Sequence, residues 1–207
     1  MHCASMESVY NPYYGMLAKK VCEEHSMRKT FQFNLWDLLK DFEGSEDDDG
    51  KLTLDTSSGG VDDEETKLKK VLNLGRLFGF LIGEGSLPLN ILRTVNFLTA
   101  SSDTKLFMEI LLITFFDSIG KHSEIKSFGS GLKSKNSIKD MRFDEKLLME
   151  RIAKTKEQHL LLKGLQYFLQ DSVKSSNLIK GKKQRKRVDW GTDAMCDIID
   201  GIIGTQS

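Results

Sequence analysis

The stretch NLGRLFGFLIGEGSLP, residues 73–88, decides the fold class of this 207-residue chain. Its apolar residues recur at the spacing of an amphipathic helix, and Gly75, Gly79 and Gly83 fall four residues apart on one face of that helix. Each glycine costs about 1 kcal/mol of helix propensity, so a compensating contact is expected. We predict that a second helix approaches closely along the glycine face. Pro88 then starts a further short helix.

A membrane location is excluded, although glycines at this spacing are common in membrane helix dimers. Arg76 and Glu84 interrupt the apolar surface, and no apolar run approaches the roughly 18 residues that cross a bilayer. The N-terminus lacks the basic-then-apolar pattern of a signal peptide. Three widely spaced cysteines, Cys3, Cys22 and Cys196, favour free thiols in a reducing compartment.

Helical periodicity continues on both sides of the central stretch. Asn11-Pro12 is a strong helix start, because asparagine can cap the first amides and proline fits the first helical position. Ser102-Asp103 can cap a helix that runs to about residue 120 and is apolar nearly all round, which predicts a buried central helix. Two more helices are predicted at 143–155 and 157–173. The sequence therefore predicts an all-α fold, with antiparallel helix hairpins stacked as a short HEAT-like helical-repeat array.

The domain organisation follows from composition. We predict a flexible N-terminus at 1–9, a helical domain at 10–173 and a basic C-terminal tail at 174–207. Inside the domain, 43–64 is an acidic loop expected to be disordered, and 121–142 is a basic connection.

Two charged regions lie within a chain whose formal net charge is zero. Between Glu43 and Glu65 there are ten acidic residues and one lysine, which indicates either a solvated loop or a surface that docks a basic partner. Between Lys174 and Arg187 there are seven basic residues and no acid, which favours a nuclear-localisation signal or contact with RNA phosphates over a plain solvated tail. The residues assigned to this second role are Lys180, Lys182, Lys183, Arg185, Lys186 and Arg187.

Catalytic and metal-binding motifs are absent from the sequence. Gly83-Glu84-Gly85 lacks the Gly-Lys-Ser/Thr ending of a phosphate-binding loop, and neither a GxSxG nor an HExxH motif occurs. There is no CxxC pair with histidines at zinc-ligand spacing. We predict no catalytic residue, no metal and no cofactor. An enzyme is the competing class of function, and it would require polar groups converging in a pocket.

Three separated blocks, in order along residues 10–172, resemble a known family. Residues 73–88 look like the signature helix of MA3 domains, and residues 98–113 resemble the family even more closely. Residues 11–14, taken together with 29–37, complete the pattern. Together the blocks resemble the C-terminal part of the nucleolar proteins that pair an initiation-factor-4G-like middle domain with an MA3 domain.

The resemblance implies a non-enzymatic adaptor. MA3 domains are stacks of helical hairpins that bind DEAD-box RNA helicases of the initiation-factor-4A type, and the nucleolar branch acts with such a helicase in small-subunit ribosome biogenesis and pre-ribosomal RNA processing. It implies a place in the nucleus and nucleolus, with the pre-ribosomal particle as a further partner. The alternative is a translation regulator that docks the cytoplasmic helicase. The acids that correspond to helicase-binding positions are Asp62, Asp63, Glu64 and Glu65.

Overall fold

A computed structural model describes residues 1–44, 61–125 and 141–204, with only the backbone for 61–63. The central parts of the predicted acidic loop and basic connection lie outside these residues. The chain forms eight α-helices within the described ranges: α1 His2–Met6, α2 Pro12–Val21, α3 His25–Gly44, α4 Val61–Gly83, α5 Ser102–Ser123, α6 Lys146–Ala153, α7 His159–Phe168 and α8 Lys182–Gly204. A 3₁₀ helix spans Leu89–Thr94, and a π-helical turn, Leu169–Val173, continues α7. The all-α prediction is confirmed.

Side-chain hydrogen bonds cap two of the predicted helix starts. The Asn11 side chain accepts a hydrogen bond from the Tyr13 amide at 3.0 Å, and Pro12 is the first residue of α2. At α5 the capping residue is Ser101, one position before the predicted cap, and its hydroxyl accepts from the Thr104 amide at 3.1 Å. Each cap satisfies an amide that has no partner inside its helix.

The glycine face of α4 packs directly on α5, as the sequence predicts. Gly79 lies against the Leu111 carbonyl, where an added Cβ would collide with the oxygen. Gly83 faces Ser118, whose Cβ would lie 2.9 Å from an added Cβ. Because the contact partners advance along α5 as the glycines advance along α4, the two helices run parallel.

This direction follows from the stacking of hairpins. The Phe31 ring in α3 packs on Phe78, whereas Asp41, further along α3, reaches back to Lys70, so α3 runs antiparallel to α4. Between α4 and α5, the 3₁₀ helix and its flanking loops return the chain to the starting end. The short helix predicted after Pro88 is this 3₁₀ helix.

Helix α5 lies at the centre of the core. Its residues are buried on nearly every side, including Phe107, Leu111, Phe115 and Ile119 with no exposed surface. This arrangement confirms the prediction of a buried central helix. In the part of the chain that the structure describes, no helix has the length and apolar character needed to cross a membrane.

Two predictions about the chain ends are wrong. Residues 2–6 are not part of a flexible N-terminus, because they form α1, which buries Ala4 and Ser5 and packs on α4. The predicted basic tail at 174–207 contains the long helix α8, which packs antiparallel to α5 and belongs to the core. The apolar residues that follow the basic run explain this: Val188, Met195 and Ile199 lie on one helix face and have no exposed surface.

Candidate partner-binding surfaces

Three helix ends meet at one corner of the molecule, which we call the acidic end and define by Asp41, Glu43, Glu64, Glu65 and Asp103. Contacts between the C-terminus of α3 and the N-termini of α4 and α5 bring these acids together. Lys70 of α4 lies 3.7 Å from the Asp41 carboxylate, and Lys67 pairs with Asp103. The Glu43 carboxylate accepts a hydrogen bond from the Ser101 amide at 3.2 Å. The acidic end is therefore held in place by contacts from all three helices.

The charges at the acidic end are only partly neutralised. Glu65 pairs with Lys69 one turn along α4 at 2.6 Å, and the hydrogen bond and charge of that lysine lower the pKa of the Glu65 carboxyl. Glu64 is exposed and has no ion-pair partner among the side chains that the structure describes. This corner therefore presents carboxylates to solvent at neutral pH.

Sequence reasoning found part of this surface. Of the four acids assigned to helicase binding, Glu64 and Glu65 lie on the exposed first turns of α4, whereas the side chains of Asp62 and Asp63 lie outside the described residues. It missed Asp41, which is distant from α4 in sequence. The only signal for Asp103 was its position in the first turn of a predicted helix, where an acid is favourable.

The basic run at 180–187 divides into a structural part and an exposed part. Arg187 has a side chain only 14% exposed, and its guanidinium lies 3.1 Å from Asp117 and 3.6 Å from Glu124. Arg185 donates to the carbonyls of Lys174 and Ser176 at 3.2 and 2.6 Å. These two arginines hold α8 against its neighbours, so they are less available to a partner than the exposed lysines of the run.

The lysines of the run remain on the surface. Lys180, Lys182 and Lys183 are exposed at the start of α8, and Lys186 is half-buried. An exposed cationic helix start of this kind can still contact phosphates or a transport receptor.

A second polar cluster lies at the C-terminal end of α4. The Glu84 carboxylate, with 10% of its side chain exposed, accepts from Lys19 at 2.6 Å and from the Ser118 hydroxyl at 2.9 Å, and His122 Nδ1 lies 3.6 Å away. Burial raises the pKa of Glu84, but the hydrogen bonds from Lys19 and Ser118, with the nearby positive charge, outweigh it and lower the pKa overall. Glu84 therefore ties α2, α4 and α5 together as an anion.

The Gly83-Glu84-Gly85 motif is a helix ending. The Gly85 amide donates a hydrogen bond to the Ile82 carbonyl, and the Ser86 amide donates one to the Leu81 carbonyl. Gly85 itself has a φ of +76°. Arg151 of α6 fills the space beside Gly85 and donates to the Gly83 carbonyl at 3.1 Å. The close approach of this arginine, together with the positive φ, explains the glycine at position 85.

Metal binding and thiol chemistry find little support among the described residues. Within the described ranges no group of three histidine, cysteine, aspartate or glutamate side chains could hold a metal ion. The buried thiols of Cys22 and Cys196 have pKa values raised by burial, which disfavours the reactive thiolate. The candidate functional sites are the exposed charged surfaces described above.

Comparison with known proteins places the chain among the relatives that its sequence resembles. Residues 1–88 match the model of the MA3 domain family. The Suppressor of glycerol defect protein 1 of Saccharomyces cerevisiae is 32% identical over 212 residues, which cover 97% of this chain and 23% of the yeast protein. The Nucleolar MIF4G domain-containing protein 1 of Mus musculus is 34% identical over 98 residues, 47% of this chain and 9% of the mouse protein.

The extent of these matches differs from the predicted boundaries. The MA3 match begins at residue 1, so it includes α1, which the sequence placed outside the domain. The chain spans less than a quarter of the length of the curated relatives it matches. No solved structure matches the chain.

Proposed function

Because the chain belongs to the MA3-domain family, we propose that it is a non-enzymatic adaptor that binds a DEAD-box RNA helicase of the initiation-factor-4A type. We further propose that it acts in small-subunit ribosome biogenesis and pre-ribosomal RNA processing. The MA3 match supports the adaptor role, and the word "nucleolar" in the name of the mouse relative supports the compartment.

The observation that carries the proposal is the acidic end. Carboxylates from three helices converge there on a rigid scaffold, and nucleic acid is a poor match for them because phosphates would be repelled. A basic protein surface would be attracted, and exposed charges of this kind act mainly on the rate of association and its dependence on salt. Docking of a helicase at this corner is therefore the proposed mode of binding.

The test is a kinetic measurement with an initiation-factor-4A-type helicase at two ionic strengths. A quadruple variant, Asp62→Asn, Asp63→Asn, Glu64→Gln and Glu65→Gln, removes the charges at the start of α4. We expect association to slow about tenfold at low salt, with a flatter salt dependence, since steering by opposite charge is lost. The fold should survive, because Glu64 and Glu65 are exposed.

A charge-matched control separates local docking from net charge. Glu145→Gln, Glu150→Gln, Glu157→Gln and Asp197→Asn also remove four negative charges, all from exposed positions just before and on α6, in its following loop and on α8. The control should associate almost as fast as the parent. Equal rates for the quadruple variant and the parent would place the docking surface elsewhere and count against the proposal.

The exposed lysines at the start of α8 support a place in the nucleus. We propose that Lys180, Lys182 and Lys183 supply the nuclear-localisation contact or contact RNA in the pre-ribosomal particle, while the arginines of the run hold the fold. Clustered basic residues on a surface suit either role.

Localisation of a tagged chain tests this division. Changing Lys180, Lys182 and Lys183 to glutamine should shift the protein toward the cytoplasm without lowering its melting temperature. The matched control changes Lys154, Lys156 and Lys163, three exposed lysines near and on α7, and should stay nuclear. If the two triple variants localise alike, retention depends on another part of the molecule, and the cytoplasmic alternative for the adaptor gains support.

A further inference from the structure

A row of two aromatic side chains flanked by two lysines runs along α3, on the side away from the core, and all of its members are exposed except the half-buried Trp36. The row consists of Lys29, Phe33, Trp36 and Lys40, and we call it the α3 stripe. At 3.6 residues per turn, these four positions fall within about 60° of the helix circumference, and they span about 16 Å along its axis. The buried residues of α3, such as Leu35 and Leu38, lie on the opposite side.

The aromatic part of the stripe is held rigidly. Trp36 donates its indole N–H to the Ile91 carbonyl in the 3₁₀ helix at 2.8 Å, which fixes the ring. Phe33 packs edge to face with Trp36 at a centroid distance of 5.5 Å, yet 57% of its surface remains exposed. A large apolar ring that is oriented by a neighbour and open to solvent is a ready stacking surface.

Positive charge flanks the rings. The Arg93 guanidinium lies 4.9 Å from the centroid of Trp36, and both Lys29 and Lys40 are exposed. Within the described ranges, no carboxylate lies at ion-pair distance from Lys29, Lys40 or Arg93, in contrast to Lys19, which pairs with a buried glutamate. Cations with no ion-pair partner among the described residues are available to a ligand.

A cavity adjoins the stripe where α3 meets the loop after the 3₁₀ helix. Trp36, Lys40 and Asn96 line it together with Thr99, and its volume is about 370 Å³, which is within the size range of small-ligand pockets. The one carboxylate in its lining, that of Glu43, already accepts the Ser101 amide. Amide and hydroxyl groups beside an indole can hydrogen-bond to the edge of a flat heterocycle.

We propose that the α3 stripe binds single-stranded RNA, with Phe33 as the base-stacking surface and Lys29, Lys40 and Arg93 as phosphate contacts. Single-strand sites combine aromatic rings, which accept any base, with cations that follow the backbone. A duplex hides its base faces and cannot use Phe33 in this way. An acidic protein segment would be attracted by the same lysines, but the exposed ring and the adjoining polar cavity favour a nucleobase. This site borders the acidic end at Glu43, which lines the cavity, and it is separate from the start of α8.

The test measures binding of a fluorescein-labelled 12-nucleotide oligouridylate to the full chain by anisotropy, over a series of salt concentrations. Phe33→Ala should weaken binding about tenfold, the usual effect of removing one stacking ring. The double variant Lys29→Gln, Lys40→Gln should lower the slope of log affinity against log salt by about 1.4, because each single-strand phosphate contact contributes about 0.7. A blunt-ended RNA duplex should bind more weakly than the single strand.

Matched controls on and near α7 test whether the effect is specific to the α3 stripe. Tyr167→Ala removes an aromatic side chain that is 49% exposed, and Lys156→Gln with Lys163→Gln removes two exposed lysines. These variants should bind RNA like the parent, and circular dichroism should give all variants the parent's melting temperature. The proposal fails if the parent does not bind the oligonucleotide at low salt, or if stripe and control variants weaken binding equally.

Discussion

The two sides of the central helix α5 are packed by different means. On one side α4 approaches through glycines, so that backbone lies against backbone at Gly79 and Leu111. On the other side α8 packs through Gly191, which lies against the Phe116 ring, and through Arg187, whose guanidinium bridges to Asp117. The contact between α4 and α5 depends on the absence of side chains on the glycines. The contact between α8 and α5 depends in part on Arg187, a charged side chain that is largely buried. The comparison shows that a helix can pack on a core through charged residues that the sequence pattern predicts to be exposed.

The largest effect should come from filling the glycine face. Gly79→Ala places a Cβ against the Leu111 carbonyl oxygen, which cannot move without shifting α5. We expect a loss of about 2–3 kcal/mol in the free energy of unfolding, at the upper end of overpacking effects. Chemical denaturation of the parent and the variant would measure it.

Gly201→Ala in α8 is the matched control, because no atom lies within 4 Å of the Cβ it would add. Removing this helical glycine should leave stability unchanged or raise it by about 0.5–1 kcal/mol. A Gly79→Ala variant as stable as the Gly201→Ala variant would contradict direct backbone packing of α4 on α5.

The α8 side should be sensitive to charge. Arg187→Gln removes the bridge to Asp117 and Glu124, and we expect a loss of about 2–3 kcal/mol, because both carboxylates stay partly covered. Part of the effect is offset by Lys121, which also pairs with Asp117 at 2.6 Å. Thermal and denaturant unfolding would detect the loss.

Lys183→Gln removes the same charge from an exposed position in the same run and serves as the control. It should leave the melting temperature unchanged. If the two variants are equally stable, Arg187 is a surface residue in solution and the contrast between the two sides of α5 disappears.

The smallest effect should depend on pH. The pKa of Glu84 is lowered in the folded protein. Its contribution to the free energy of unfolding is therefore fully present at pH values above the ordinary pKa of 4.5, and it is lost as pH falls through the lower pKa of the folded state. Glu84→Gln should therefore cost about 1–2 kcal/mol near neutral pH, as expected for hydrogen bonds to a charged group that is partly covered.

Unfolding free energies measured from pH 7 down to pH 3 would test this. The difference between the parent and Glu84→Gln should shrink as the pH falls below 4.5. Glu145→Gln changes an exposed glutamate near the start of α6 and should show no such trend. A Glu84 difference that stays constant across the range would assign its effect to packing rather than to charge.

The amino-acid sequence by itself determined the helices from α2 to α7, the central burial of α5 and the glycine contact. Periodicity and glycine spacing are local patterns, and their physical causes, apolar burial on one face and close backbone approach, act whatever the neighbours are. The first turns of α4 were likewise recognised as acidic from composition alone. The start of α5, predicted within one residue of Ser101, came from capping chemistry that involves adjacent residues.

Only the tertiary structure decided which charges are available to a partner. Arg187 and Lys183 belong to one basic run, yet the first is 14% exposed and the second is on the surface, because Arg187 lies on the face of α8 that continues into Val188 and Gly191. Asp41 and Asp103 join the acidic end only because three helix ends converge there. A charge count along the chain cannot distinguish these cases, since the cost of burying a charge depends on partners that folding brings from distant positions.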